Sequence, residues 1–160
     1  MRLREGVLLA ADVQGFVRVL RGQDLVYEPW EEMAEVLSDL DILKSDAMEA
    51  KYLTGETDIE KAAAFYAQQG AKEILLTHAS GVLVYADGQS HHYEFHSKSM
   101  DGRSGRGDTC LGSYVSARLS LPSREAGKYA AAVTSMKVEK LGVFDRTIAE
   151  VEEFIAKYYA

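Results

Sequence analysis

Continuous apolar runs and helical stripes alternate along the chain. Gly6-Val7-Leu8-Leu9-Ala10-Ala11 closes on Asp12, the pattern of a buried central strand with a polar residue at its carboxyl end. Asp12-Val13-Gln14-Gly15 reads as the loop that follows. Trp30-Glu31-Glu32-Met33-Ala34-Glu35-Val36-Leu37 has helical periodicity and leads to a short strand, Leu40-Asp41-Ile42-Leu43-Lys44. Residues 46–53 predict a short helix closed by Gly55, and Thr57-Asp58-Ile59-Glu60 has the spacing of a capping box. The helix it opens carries Ile59, Ala62, Ala63 and Tyr66 on one face and ends near Gly70. Ile74-Leu75-Leu76-Thr77 is the next buried strand.

The period then changes from helical to alternating. Gly81-Val82-Leu83-Val84-Tyr85 and His91-His92-Tyr93-Glu94-Phe95 flank Asp87-Gly88, a pair that favours a tight hairpin turn. Residues 109–119 return to a helical pattern, and Pro122-Ser123 precedes a longer helix with Ala126, Tyr129, Ala130, Val133 and Met136 at core spacing. Thr147 and Glu150 form a further capping box, ahead of a stripe of Ile148, Val151, Phe154 and Ile155. The order predicts one α/β domain over residues 1–160, with a mostly parallel sheet and an appended antiparallel hairpin.

Composition narrows the classes of partner. A length of 160 residues, 47% of them hydrophobic and 27% charged, suits one globular domain with a core. No apolar run reaches bilayer length, and Met1-Arg2-Leu3-Arg4-Glu5 lacks the apolar core of a signal peptide, so a cytoplasmic location without membrane contact is expected. The one cysteine, Cys110, lies in an apolar helix and agrees with a reducing compartment. A formal net charge of -7 argues against nucleic-acid binding, which needs clustered Lys and Arg. A bound nucleotide stays compatible, because a local nest of N–H groups holds phosphates inside an acidic protein.

Candidate chemistry gathers at Ser104-Gly105-Arg106-Gly107-Asp108-Thr109. A glycine-rich turn feeding a helix leaves backbone N–H groups unpaired, with the positive end of the helix dipole behind them. Such a turn binds anions, and Asp108 stands at its edge. The plainer reading is a tight turn with Asp108 as a helix cap.

Four pieces, taken in order, resemble the ribokinase-like (PfkB) carbohydrate kinase family. They are Asp12-Val13-Gln14-Gly15-Phe16-Val17-Arg18, then Asp46-Ala47-Met48-Glu49 with Leu53-Thr54-Gly55, then Thr77 to Gly81 before the hairpin, and Gly105-Arg106-Gly107-Asp108. The resemblance implies a three-layer α/β/α fold. It spans nearly all of this chain but only about the carboxyl-terminal half of a usual member, so the amino-terminal substrate and lid portion is expected to be missing. It further implies ATP-dependent phosphoryl transfer to a hydroxyl of a sugar or nucleoside-like substrate, assisted by Mg²⁺. Asp108 would be the catalytic base, and the N–H groups of Gly105, Arg106 and Gly107 would form the anion hole; fixed backbone dipoles suit that task.

Other roles follow from the same resemblance. Arg106 stands where the family has alanine, and either adds positive charge near the phosphates or points to solvent. Gly102 stands where the family has an aspartate, with Asp101 one place away. Asp46 and Glu49 match an Asn-x-x-Glu pattern whose glutamate places Mg²⁺ through water; read without the resemblance, they form a solvated helix face. Thr77 and Gly81 would touch ATP, the region of Ala131, Ser135 and Met136 would line adenine, and Asp12 would face the substrate.

Two further signals carry less. His91 and His92 are neighbours on a strand and face opposite ways, so they do not converge on one ion. Arg106-Gly107-Asp108 also spells an adhesion tripeptide, which the glycine turn explains better. A non-catalytic ATP-binding or regulatory module, or an inactive fragment of such a kinase, is the alternative reading. The expected partners are a nucleotide and a small alcohol, with a homodimer or a separate amino-terminal half as the protein partner. The phosphate acceptor is not legible, since most residues that would read it are absent.

Overall fold

In the computed structural model, residues 7–99, 101–102 and 104–160 are described. Gly6 of the predicted first strand and the opening segment Met1 to Glu5 lie outside them. Contacts group the chain into two compact units, Met1–His78 with Tyr85–Ser90, and Ala79–Val84 with His91–Ala160. One sheet has the strand order β1 (Ala10–Asp12), β4 (Ile42–Asp46), β5 (Glu73–Thr77), β6 (Gly81–Ala86), β7 (Gln89–Glu94), and β2 (Arg18–Arg21) and β3 (Asp24–Tyr27) form a separate pair.

The first unit holds β1 (Ala10–Asp12), α1 (Gln14–Val17), β2 (Arg18–Arg21), β3 (Asp24–Tyr27), α2 (Met33–Asp39), β4 (Ile42–Asp46), α3 (Ala47–Thr54), α4 (Ile59–Gln68) and β5 (Glu73–Thr77). Strands β1, β4 and β5 pair in parallel, with Asp12 opposite Lys44 and Asp46 opposite Thr77. Ile42, Leu43, Ile74, Leu75 and Leu76 are fully buried or nearly so, as expected of parallel strands covered on both faces. Strand β1 departs from the expected buried central strand. It is three residues long and half-buried, and Leu9 before it is exposed. The Leu9 carbonyl still accepts from the Asp41 and Ile42 amides, so among the described residues of the apolar run the backbone bonds to β4 begin at Leu9.

Two local readings shift. Residues 14–17 coil into a helical turn rather than a loop, and the unpredicted strands β2 and β3 form an antiparallel hairpin around Gly22. Helix α4 is capped by Asp58, whose side chain accepts from the Glu60 and Lys61 amides, so the cap lies one residue after Thr57 and no box forms. Helix α3 follows expectation. Asp46 caps it, Glu49 closes a reciprocal capping box, and Gly55 takes the left-handed C-terminal position at φ 75°.

The second unit is built on β6 (Gly81–Ala86), β7 (Gln89–Glu94), α5 (Arg106–Arg118), α6 (Ser123–Lys137) and α7 (Ile148–Tyr158), with the tip of the β6–β7 hairpin grouped with the first unit. Asp87 and Gly88 both have positive φ, 52° and 75°, which matches strand twist in a two-residue hairpin. Helix α5 packs on α6, and α6 on α7. Cys110, Tyr114 and Ala126 with the run Ala130 to Ala132 are buried in the helical core. Small residues on α6 allow close approach: a Cβ at Gly127 would sit 2.5 Å from the Tyr93 ring. The box of Thr147 and Glu150 forms on α7, but Ile148 is exposed, because the first turn of α7 overhangs the core and only Val151 within the helix is fully covered. Among the described residues, no helix is long and apolar enough to cross a membrane.

Candidate active site

In the first unit, the carboxyl ends of β1, β4 and β5 collect polar side chains from residues far apart in sequence. Parallel pairing brings Asp12 beside Lys44, and the Lys44 Nζ pairs with Asp12 Oδ2 at 2.9 Å. Asp12 Oδ1 accepts from the Gln14 amide at 2.9 Å, which leaves Asp12 oriented by two partners at the start of α1. The Lys44 side chain is only 4% exposed, and a buried ammonium of this kind depends on its partner: removing Asp12 costs about 3–5 kcal/mol when a buried charge is left alone. Lys44 was not singled out by sequence. Its signal was a single cation inside the apolar run Ile42-Leu43-Lys44.

Glu49 is fully buried, which overturns the solvated-face reading. Its Oε2 accepts from the Asp46 amide at 2.8 Å, while Asp46 Oδ1 accepts from the Met48 and Glu49 amides at 2.8 Å each. Glu49 Oε1 is buried without a hydrogen-bond partner among the described residues. Burial raises the Glu49 carboxyl above its ordinary 4.5, an effect partly offset by the Asp46 amide and the Lys44 charge. An orphaned carboxylate oxygen with Asp46 close by suits a hydrated divalent cation, since Mg²⁺ takes oxygen ligands and keeps much of its water shell. The residues present therefore fit Mg²⁺.

Tyr27 of β3 stands near the same acids. Burial, then the Asp46 and Glu49 charges, push its phenol upward, and its ring lies 5.1 Å from that of Tyr52. The hairpin missed in the sequence thus contributes an aromatic group beside the carboxylates. Thr77, at the end of β5, is buried with its Oγ1 donating to the Ser45 carbonyl at 3.4 Å.

The burial of Glu49 has a consequence for stability. Below pH 4.5 both folded and unfolded chains hold the proton, and the favourable contribution of the neutral carboxyl is complete. As pH rises the unfolded chain ionises first, so stability falls until the raised folded value is passed. Glu49→Gln is expected to remove this slope. Its Tm relative to the wild type should climb as pH rises above about 4.5, and parallel Tm curves for the two proteins would refute the assignment.

In the second unit, Gly105 caps α5 at φ 75°, a left-handed conformation that glycine adopts freely. The helix begins at Arg106, three residues before the predicted start, so Arg106, Gly107 and Asp108 form its first turn. The Thr109 amide donates to the Gly105 carbonyl at 2.9 Å, and no side chain caps the helix. Its leading amides have no acceptor within the helix. Asp108 is exposed in this turn, with Oδ2 3.9 Å from the place a Cβ on Gly105 would take. Arg106 is half-buried and Ser104 exposed.

Two expected cofactor contacts have structural employment. Ser135 is fully buried; its Oγ donates to the Ala131 carbonyl at 2.7 Å, accepts from the His96 amide at 3.0 Å and lies 3.3 Å from the Tyr159 hydroxyl. Its hydroxyl is committed to joining α6, the strand end and α7. Gly81 permits close strand contact, since a Cβ there would sit 2.3 Å from the Tyr93 carbonyl oxygen.

The profile of the pfkB family carbohydrate kinases matches residues 7–148. A pyrophosphate-dependent myo-inositol-1 kinase, converted to a myo-inositol-3 kinase by two substitutions, is 41% identical over 96% of this chain and 55% of its own, with a TM-score of 0.84. A pyrophosphate-dependent kinase of the ribokinase family, complexed with a pyrophosphate analog and myo-inositol, is 42% identical over 91% of this chain and 53% of its own, also at 0.84. A putative ribokinase II from E. coli in complex with ATP and Mg²⁺ is 25% identical over 78% of this chain and 42% of its own, at 0.68. The chain thus spans about half the length of these structures. A search of the curated proteins finds no match. The fold is ribokinase-like, and with the family profile covering most of its length, the chain belongs to the pfkB family of carbohydrate kinases.

Proposed function

We propose that the protein transfers a phosphoryl group to a hydroxyl of a sugar-like acceptor, with Asp108 as the base and the amides of Gly105, Arg106 and Gly107 as the anion hole. The observation that carries this reading is the first turn of α5, uncapped by any side chain and flanked by an exposed carboxylate. Phosphoryl transfer rests on positioning and charge stabilisation rather than covalent chemistry, and helix amides supply fixed positive dipoles where charge develops. Asp108 accepts the acceptor's proton as the oxygen attacks. Arg106, in the same turn, adds a cation to that field.

Mg²⁺, when bound, neutralises polyphosphate charge. Glu49 would hold its water shell through the unpartnered Oε1, with Asp46 beside it. Lys44 holds Asp12 at the neighbouring strand end, where acceptor hydroxyls would meet that carboxylate.

ATP is the donor suggested by the family pattern and by the E. coli relative. Pyrophosphate is a second reading, favoured by 41–42% identity to pyrophosphate-dependent kinases, which also makes a cyclic polyol such as myo-inositol a good acceptor to try. Separate assays with ATP and with pyrophosphate, across sugars, nucleosides and myo-inositol, decide between them. Turnover with one donor and not the other is the expected outcome. Calorimetric binding of either donor without transfer to any acceptor would replace the enzyme with the binding-module reading.

A further inference from the structure

We propose that Lys137 is the positioning residue of the glycine turn, a built-in cation that aims the turn's amides at an anion. The proposal rests on reading that turn as a phosphate site. Lys137 ends α6 and is 8% exposed. Its Nζ donates to the Gly102 carbonyl at 2.6 Å and to the Ser104 carbonyl at 2.7 Å, the latter directly before the cap residue Gly105. The ammonium is therefore held by backbone oxygens, and among the described residues no carboxylate pairs with it.

The consequence follows from peptide geometry. In a trans peptide the C=O and N–H point in opposite directions, and no described peptide bond is cis. Fixing the Ser104 carbonyl on Lys137 turns the Gly105 N–H away from the lysine, towards the open side of the turn. The charge behind the carbonyl also polarises that peptide and strengthens its N–H as a donor. A lysine used only for packing would leave its ammonium in water, as such side chains ordinarily do.

The rest of the segment is fastened to the same helix end. The Gly102 amide donates to the Val138 carbonyl at 2.8 Å, the Lys98 amide to Glu139 Oε1 at 2.8 Å, and the Ser99 hydroxyl to the Glu139 carbonyl at 3.2 Å. These bonds hold the approach to the turn whether or not residue 137 carries a charge. Removing the charge should therefore change the aim of the turn more than the fold.

The test reads the turn directly, by titrating ¹⁵N-labelled protein with inorganic pyrophosphate and following the Gly105 amide, alongside kcat and KM for the donor and acceptor found in the assays above. Lys137→Met is expected to keep a folded spectrum, displace the Gly105 resonance and weaken pyrophosphate by about tenfold to a hundredfold. Its kcat should fall while the acceptor KM stays near the wild-type value. Ammonium chloride, small enough to sit between the two carbonyls, should restore part of the loss, whereas tetramethylammonium chloride at equal ionic strength should not.

Wild-type affinity and an unmoved Gly105 resonance in Lys137→Met would overturn the proposal while leaving the anion-hole reading intact. A wild-type Gly105 amide indifferent to pyrophosphate would overturn both. If Lys137→Met does not fold, Lys137→Arg decides: it keeps the charge but relocates the donor atoms, so a displaced Gly105 resonance with several-fold weaker binding supports the role, and wild-type behaviour refutes it.

Discussion

Asp108→Asn is expected to lower turnover by about two to four orders of magnitude with the fold intact. The two side chains have the same shape, and Asp108 is exposed in the first turn of α5, so little packing is lost. The amide cannot take the acceptor's proton. What stability changes comes from losing a negative charge near the positive end of a helix, about 0.3–1 kcal/mol. The measurement is phosphorylated product per unit time with the preferred donor, beside a thermal melt. Turnover within a few-fold of wild type would remove Asp108 from the base role and leave the turn as a binding element. If donor affinity survives while turnover collapses, proton transfer and anion binding belong to different parts of the same turn.

Gly102→Ala should be among the most damaging substitutions in the second unit. An added Cβ would lie 1.9 Å from the Lys140 carbonyl oxygen, 2.4 Å from its carbon and 3.0 Å from the Lys137 carbonyl oxygen. All three are backbone atoms, so no rotamer change relieves the overlap, and the segment must lift from the end of α6. Lifting breaks the bond from the Gly102 amide to Val138 and separates the Gly102 carbonyl from Lys137 Nζ. Overpacking of this kind costs about 1–3 kcal/mol, and each kcal/mol lowers Tm by roughly 2–4 °C at this chain size. A melt and a pyrophosphate titration check the two consequences together. An unchanged melting temperature would contradict the close approach, and unchanged binding would show that Gly102 is not coupled to the turn.

The position also accounts for a departure from the family pattern. An aspartate is usual where Gly102 stands, and here any side chain would collide with the end of α6. Lys137 places its ammonium against the Gly102 and Ser104 carbonyls instead. Sequence reading noted the substitution at Gly102 but had no means of linking it to a lysine thirty-five positions on.

Short-range features were the most legible. The closing Gly55, the Asp87-Gly88 turn and the box of Thr147 and Glu150 each depend on residues within about one turn of chain, and the structure has all of them, whereas the reciprocal cap of Asp46 and Glu49 was not read. The hairpin of β2 and β3 went unread although its alternation around Gly22 was visible. Its exposed Leu20 and Leu25 and its four-residue strands gave a weaker periodic signal than the buried strands beside it.

By itself the sequence determined most of the strands and helices and several of their turns and caps, and it pointed to the family to which the chain belongs, because these are written in local periodicity and in short ordered motifs; the turn of α1, the β2–β3 hairpin and the exact cap of α4 escaped it. Only the tertiary structure decided what the charged residues do. Parallel register set Lys44 against Asp12, burial decided between the two readings of Glu49 by leaving it a buried carboxylate with one unpartnered oxygen, and the end of α6 brought Lys137 against the Ser104 carbonyl at the glycine turn. The physical reason is that a charge takes its role from its partners and its access to water, and both are supplied by segments distant in the chain.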